Sequence, residues 1–116
     1  MYSILMSDFK IGFPYIKNDI ANLINNNTKV VVIPWSFPIE LESKNVRTFF
    51  NLSKYDKYIT PLIELGLNKN NVKILDCYKD SKEYMIDLIK ESSILIFTGG
   101  NPEMFYNKVI QAGLLN

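Results

Sequence analysis

Histidine is absent from the 116-residue chain, and cysteine occurs once, as Cys77. A Ser-His or Cys-His catalytic pair therefore cannot be assembled within this chain, and neither can a metal site that uses imidazole. A lone cysteine cannot form an internal disulfide, which favours a reducing compartment. Cys77 ends the apolar run of "VKILDCY", so we expect a buried and inert thiol.

A surplus of charge and a long hydrophobic run are also missing. The thirteen basic and twelve acidic residues are interspersed and give a net charge of +1. This argues against a nucleic-acid surface, because phosphate binding needs clustered Lys and Arg. No apolar run approaches the roughly 18 residues of a membrane helix, and no basic region precedes the N-terminal apolar stretch. We therefore expect a cytoplasmic protein with no membrane partner, no nucleic-acid partner, no metal and no cofactor.

Four short apolar runs predict β-strands within a single domain that covers residues 1–116. The runs are residues 2–6, 29–35, 71–76 and 93–100. Their β-branched, nearly continuous hydrophobicity is typical of strands covered on both faces, as in parallel sheets. Helical periodicity separates the runs, so the pattern indicates a layered α/β domain with right-handed crossovers and a mainly parallel sheet.

The helical segments carry start and stop signals. The first, "IKNDIANLINN", places four apolar residues on one face: Ile16, Ile20, Leu23 and Ile24. Asp80 followed by Glu83 predicts a capping box at the start of a later helix. In the middle segment, Pro61 predicts either a kink or a helix that restarts with Thr60 as cap, and Gly66 predicts its end.

The last apolar run breaks into Gly99-Gly100-Asn101-Pro102. Asn101 is a favoured N-cap, Pro102 suits the first helical position, and Gly113 is placed to end that helix. Two glycines at the carboxyl end of a buried strand allow close approach of the backbone, so N–H groups there could hold an anion or an oxyanion. A purely structural strand-to-helix turn explains the same residues equally well.

A long irregular stretch, residues 35–52, follows the second predicted strand. Ligands of open parallel sheets bind beyond the carboxyl ends of the strands, so Pro34, Trp35 and Ser36 are candidates for a further edge of the site. The alternative is a surface elaboration with Trp35, Phe49 and Phe50 packed back onto the core. Without a base, Ser36 stays a neutral hydroxyl with a loop or capping role.

The order of these features resembles peptidase family S51, which includes aspartyl dipeptidase and cyanophycinase and has a class I glutamine amidotransferase-like fold. The resemblance spans the chain and rests on a second strand ending in Ile-Pro, a helix closing on Leu-Gly, and "ILIFTGGNP" followed by "AGLL". It implies a three-layer α/β/α, flavodoxin-like fold of which this chain is the truncated N-terminal portion. Trp35 and Pro102 depart from the residues that are usual in the family.

In that family a further strand leads to G-x-S-A-G, which presents the nucleophilic serine. No such motif occurs here, so the resemblance implies a nucleophile and a histidine beyond Asn116, and no catalytic residue or hydrolysis within the 116 residues alone. Gly99, Gly100 and Asn101 would form the oxyanion and substrate side of a site for a small peptide. The alternative is a stand-alone, non-enzymatic module that binds a small anion or nucleotide at the same turn. An unpaired sheet edge also predicts self-association.

Overall fold

Four parallel strands form one sheet in the order β1-β4-β2-β3. The strands are β1 (Tyr2–Leu5), β2 (Val30–Ile33), β3 (Val72–Ile74) and β4 (Ile94–Phe97). This computed structural model describes residues 2–5, 9–35, 55–77, 79–98, 102–111 and 113. Each strand lies within one of the four apolar runs, and every pairing is parallel, so both predictions are confirmed.

Helices alternate with the strands along the described residues, which confirms an α/β fold. They are α1 (Phe9–Ala21), α2 (Tyr55–Tyr58), α3 (Thr60–Glu64), α4 (Lys82–Glu91) and α5 (Pro102–Gln111), with a 3₁₀ helix at Lys69–Asn71. Within this described part, none of the helices has the length and apolar character that crossing a bilayer requires.

Two hydrophobic clusters divide the core, because successive side chains of a strand point to opposite faces. The first cluster takes alternate sheet residues together with α1, α2 and α3: Phe13, Ile20, Ile24, Val30, Val32, Tyr58, Ile59, Leu62, Leu67, Ile74, Ile94 and Ile96. The second cluster takes the intervening sheet residues and α4: Val31, Ile33, Trp35, Leu75, Cys77, Met85 and Leu95, with Phe105 and Val109 of α5 packed against it. Burial on both faces explains why the strand sequences are nearly continuous in hydrophobicity.

The predicted glycine stops are confirmed. Gly66 has a φ of +113° and its N–H donates to the Ile63 carbonyl at 3.0 Å, while the Leu67 N–H donates to the Leu62 carbonyl at 3.1 Å. This pair of bonds is a Schellman motif, and the buried side chains of Leu62 and Leu67 belong to the first cluster. Gly113, with a φ of +73°, donates its N–H to the carbonyl of Ile110 at 3.0 Å after α5.

The predicted boundaries of α1 are wrong at both ends. The helix begins at Phe9 and ends at Ala21, so Leu23 and Ile24 lie in the turn that follows. Thr28 closes this turn, because its hydroxyl donates to the Leu23 carbonyl at 3.0 Å and accepts from the Asn25 N–H at 2.9 Å. These local bonds replace the helical ones that the apolar spacing had suggested.

The middle segment contains two short helices, so the restart alternative is confirmed, one residue earlier than predicted. Ile59 is the N-cap of α3 and Pro61 lies in its first turn. Ile59 has helical dihedral angles, φ −101° and ψ −41°, and no side chain caps α3. Thr60 is already helical, and its hydroxyl lies 3.3 Å from Asp56 Oδ1.

The capping box predicted for Asp80 and Glu83 is also wrong by one residue. Ser81 is the N-cap of α4, and its Oγ accepts the Tyr84 N–H at 3.1 Å. Asp80 instead accepts the N–H of Asp76 through Oδ2 at 2.8 Å, which ties the start of α4 to the end of β3.

Candidate functional site

The carboxyl ends of three adjacent strands meet at one edge of the sheet. Ile33 of β2 is in register with Phe97 of β4, and Val32 of β2 is in register with Ile74 of β3. The residues that follow these strands are Pro34 and Trp35, Asp76 and Cys77, and Thr98, and all of them are buried. A ligand at this edge would therefore meet a wall of ordered side chains.

The described helices that come after β2 and after β4 in the chain pack on opposite faces of the sheet. After β2, helices α2 and α3 supply the first cluster, whereas after β4, helix α5 packs against the second. In open parallel sheets, ligands bind beyond the carboxyl ends of two neighbouring strands whose connections diverge in this way. Strands β2 and β4 are such neighbours, and the sequence predicts the site at the same edge.

The predicted oxyanion residues Gly99, Gly100 and Asn101 lie outside the described residues, as does Ser36. In the chain, the glycines come directly after Thr98, the last described residue beyond β4, and Ser36 comes directly after Trp35. Thr98 and Trp35, from which these two segments continue, therefore lie at the same edge of the sheet. The roles of the four residues stay predictions.

Trp35 forms part of the core beneath this edge. Its side chain is 1% exposed, its Nε1 donates to the carbonyl of Leu75 at 3.2 Å, and its ring centroid lies 6.2 Å from that of Phe105. The alternative in which Trp35 packs onto the core is therefore confirmed, whereas Phe49 and Phe50, named with it, lie outside the described residues. Hydrogen bonding and ring packing together make the Trp35 indole a rigid part of the edge.

Charged side chains are buried at the same edge. Asp76 is 0% exposed and Lys108 of α5 is 3% exposed. Burial raises the pKa of the neighbouring Cys77 thiol to about 11. The charge of Lys108 acts in the opposite direction and lowers this pKa, whereas Asp76 adds to the increase. The thiol is therefore protonated at neutral pH and a poor nucleophile, so the expectation of a buried, inert Cys77 is confirmed.

Lys108 is a residue that sequence reasoning missed, although a signal was present. It lies three residues after Phe105 and one before Val109, and these two pack against the second cluster. That spacing places Lys108 on the inward face of α5. Its charge lies close enough to the end of β3 to lower the pKa of the Cys77 thiol.

Thr98 is the second missed residue. It is buried, and its Oγ1 has no hydrogen-bond partner within the part of the chain that the structure describes. A buried hydroxyl without a partner costs free energy, so such atoms are candidates for contact with a ligand. The signal in the sequence is a polar residue that closes the apolar run directly before two glycines.

Metal chemistry has no support here, since the described residues contain no group of three or more His, Cys, Asp or Glu side chains that could hold an ion. Comparison with known proteins adds no family: no family model, no curated protein and no solved structure matches this chain. The case for a function therefore rests on the sequence and on the geometry of the carboxyl edge.

Proposed function

We propose that this chain supplies the oxyanion-side wall of a serine-hydrolase site resembling that of peptidase family S51, within a three-layer, flavodoxin-like fold. The nucleophile and base would come from residues that the chain does not contain, and the substrate would be a small peptide. One observation supports the proposal: β4 lies inside the parallel sheet, between β1 and β2, and its carboxyl end comes directly before Gly99-Gly100-Asn101 in the chain.

The proposed mechanism uses main-chain donors. Helix α5 begins at Pro102, and the positive end of its helix dipole lies at that end. A tetrahedral intermediate develops negative charge on oxygen, and N–H groups of Gly99 and Gly100 would stabilise that charge. Removing one such donor typically costs on the order of 3 kcal/mol of transition-state stabilisation.

The first experiment is to read the coding sequence beyond Asn116. A strand-forming run followed by G-x-S-x-G supports the proposal, whereas an unrelated continuation or an immediate stop codon contradicts it. The continuous polypeptide would then be assayed for hydrolysis of aspartyl dipeptides. Asn101→Ala should lower kcat/KM, whereas Asn107→Ala, an exposed position on α5, should leave it unchanged.

A second candidate function is binding of a small anion or nucleotide at the same turn, without chemistry. The buried hydroxyl of Thr98, which has no hydrogen-bond partner among the described residues, favours it, because hydroxyl and N–H donors together suit phosphate. The test is a titration of the 116-residue chain with inorganic phosphate, an aspartyl dipeptide and ATP, followed by the amide resonances of Gly99 and Gly100. Tight nucleotide binding favours the module, and a response to the dipeptide alone favours the hydrolase wall.

A further inference from the structure

A groove of about 440 Å³ runs along the outer edge of β3, and its lining includes no residue of β2 or β4. Its lining includes Tyr55, Lys69, Val72, Lys73, Ile74 and Tyr84. Tyr55 packs with the first cluster, whereas Tyr84 lies on α4, which supplies the second. The two rings therefore flank the strand edge from opposite faces of the sheet.

The backbone of β3 offers hydrogen-bonding groups to this groove. The N–H of Leu75 donates to Val32 of β2 at 3.0 Å, and successive N–H groups of a strand point to opposite sides. The N–H of Ile74 and the carbonyl of Val72 therefore point away from β2. Among the described strands, β3 pairs only with β2, and none of them lies on its other side.

The groove is positively charged. Lys69 and Lys73 line it, and none of the described lining residues is acidic. The Tyr55 hydroxyl is buried without a hydrogen-bond partner in the described part of the chain, and Lys69 Nζ lies 5.9 Å from the centroid of the Tyr55 ring. Burial, with a smaller contribution from Asp56, raises the pKa of Tyr55, so its hydroxyl stays a donor at neutral pH. These donors and cations complement carboxylates.

We propose that the groove binds an extended acidic peptide segment of a partner protein as an added strand beside β3. The peptide backbone bonds to Ile74 and Val72, and its carboxylates reach Lys69 and Lys73. The rings of Tyr55 and Tyr84 enclose it from the two faces, the second of these rings being 43% exposed. This is the strand-addition mode of peptide recognition, in which main-chain bonds provide affinity and side chains provide specificity.

A second copy of the chain fits this edge less well. Antiparallel pairing of β3 with its own copy about Lys73 would place two lysines directly opposite each other, and like charges opposite each other destabilise a strand pair. An acidic segment replaces that repulsion with attraction.

The test uses the full chain and a labelled, end-blocked hexapeptide that alternates Glu and Val, followed by fluorescence anisotropy at low salt. We expect saturable binding that weakens as salt is added, and loss of binding when Lys replaces Glu or when a central Pro removes an N–H. Lys73→Glu should weaken binding by about fivefold, because an attraction becomes a repulsion. Lys17→Glu, an exposed site on α1 with the same change in charge, should not.

Hydrogen exchange distinguishes an added peptide strand from a small anion bound in the groove. An added strand slows exchange of the Ile74 N–H, and Lys69→Glu provides a second variant if Lys73→Glu does not fold. The proposal is overturned if inorganic phosphate or free glutamate displaces the peptide while Ile74 stays unprotected, since the groove then binds only anions. Sedimentation that reveals a dimer strengthened by Lys73→Thr, which removes the like-charge repulsion, also overturns it, because the edge then pairs with a second copy.

Discussion

The titration of Cys77 tests the electrostatics of the carboxyl edge. Burial holds its pKa at about 11, above the ordinary value of 9.0 that applies in the unfolded chain. The folded state therefore keeps the thiol proton at pH values where the unfolded state has lost it. The stability that results is complete below about pH 9 and is lost as pH rises towards 11. Replacing Cys77 with Ala removes this dependence.

The expected effect follows from the two pKa values. The difference between 9.0 and about 11 corresponds to roughly 3 kcal/mol in full. About 1 kcal/mol of this is lost by about pH 10, midway between the two values. Near neutral pH, Cys77→Ala itself should cost about 1 kcal/mol through lost packing. The stability advantage of the wild-type protein should therefore disappear by about pH 10.

The assay is urea unfolding of both proteins at several pH values between 7 and 10.5. Lysine and tyrosine side chains also titrate in this range, so the informative quantity is the difference between the two free energies of unfolding at each pH. A difference that stays constant refutes the reasoning. So does a native thiol that reacts with an aromatic disulfide as fast as a small free thiol does, because burial would then not suppress its thiolate.

Three further predictions concern local structure and are measured by urea unfolding. Thr28→Val should cost about 2 kcal/mol by leaving two turn groups without partners, and Thr28→Ser, which keeps the hydroxyl, should cost less. Ser81→Ala should cost about 1 kcal/mol as a lost cap, against almost none for Asp87→Ala on the exposed side of α4; equal costs would contradict the cap assignment. Gly66→Ala should cost about 1–2 kcal/mol from backbone strain alone, since no atom lies within 4 Å of an added Cβ, and an unchanged stability would contradict this.

The strands could be predicted because a strand that is buried on both faces has a nearly continuous hydrophobic sequence. Runs such as Val30–Ile33 are β-branched and continuous, and no other short element needs that pattern. The order of the strands leaves no comparable trace. The insertion of β4 between β1 and β2 depends on how both clusters pack, which is a property of the whole chain.

Helix caps were harder to predict because neighbouring residues compete for the same role. Asp80 and Ser81 are both good N-caps, and local preference does not separate them. A tertiary bond decides: Asp80 accepts the Asp76 N–H at the end of β3, which leaves Ser81 to cap α4. Lys108 was missed for a similar reason, because its burial depends on residues that lie far away in sequence, as its effect on the pKa of Cys77 indicates.

The two outer edges of the sheet have different chemistry, and this difference bears on self-association. The segment Tyr2–Leu5 of β1 carries no charge, whereas β3 presents Lys73 at its centre. Charged residues on edge strands oppose pairing between copies, so β1 is the edge at which the predicted self-association should occur. Ser3→Lys in β1 should therefore lower any tendency to associate, measured by sedimentation at high concentration, while leaving peptide binding at β3 unchanged. If Ser3→Lys fails to change the association state, pairing at the β1 edge does not govern it.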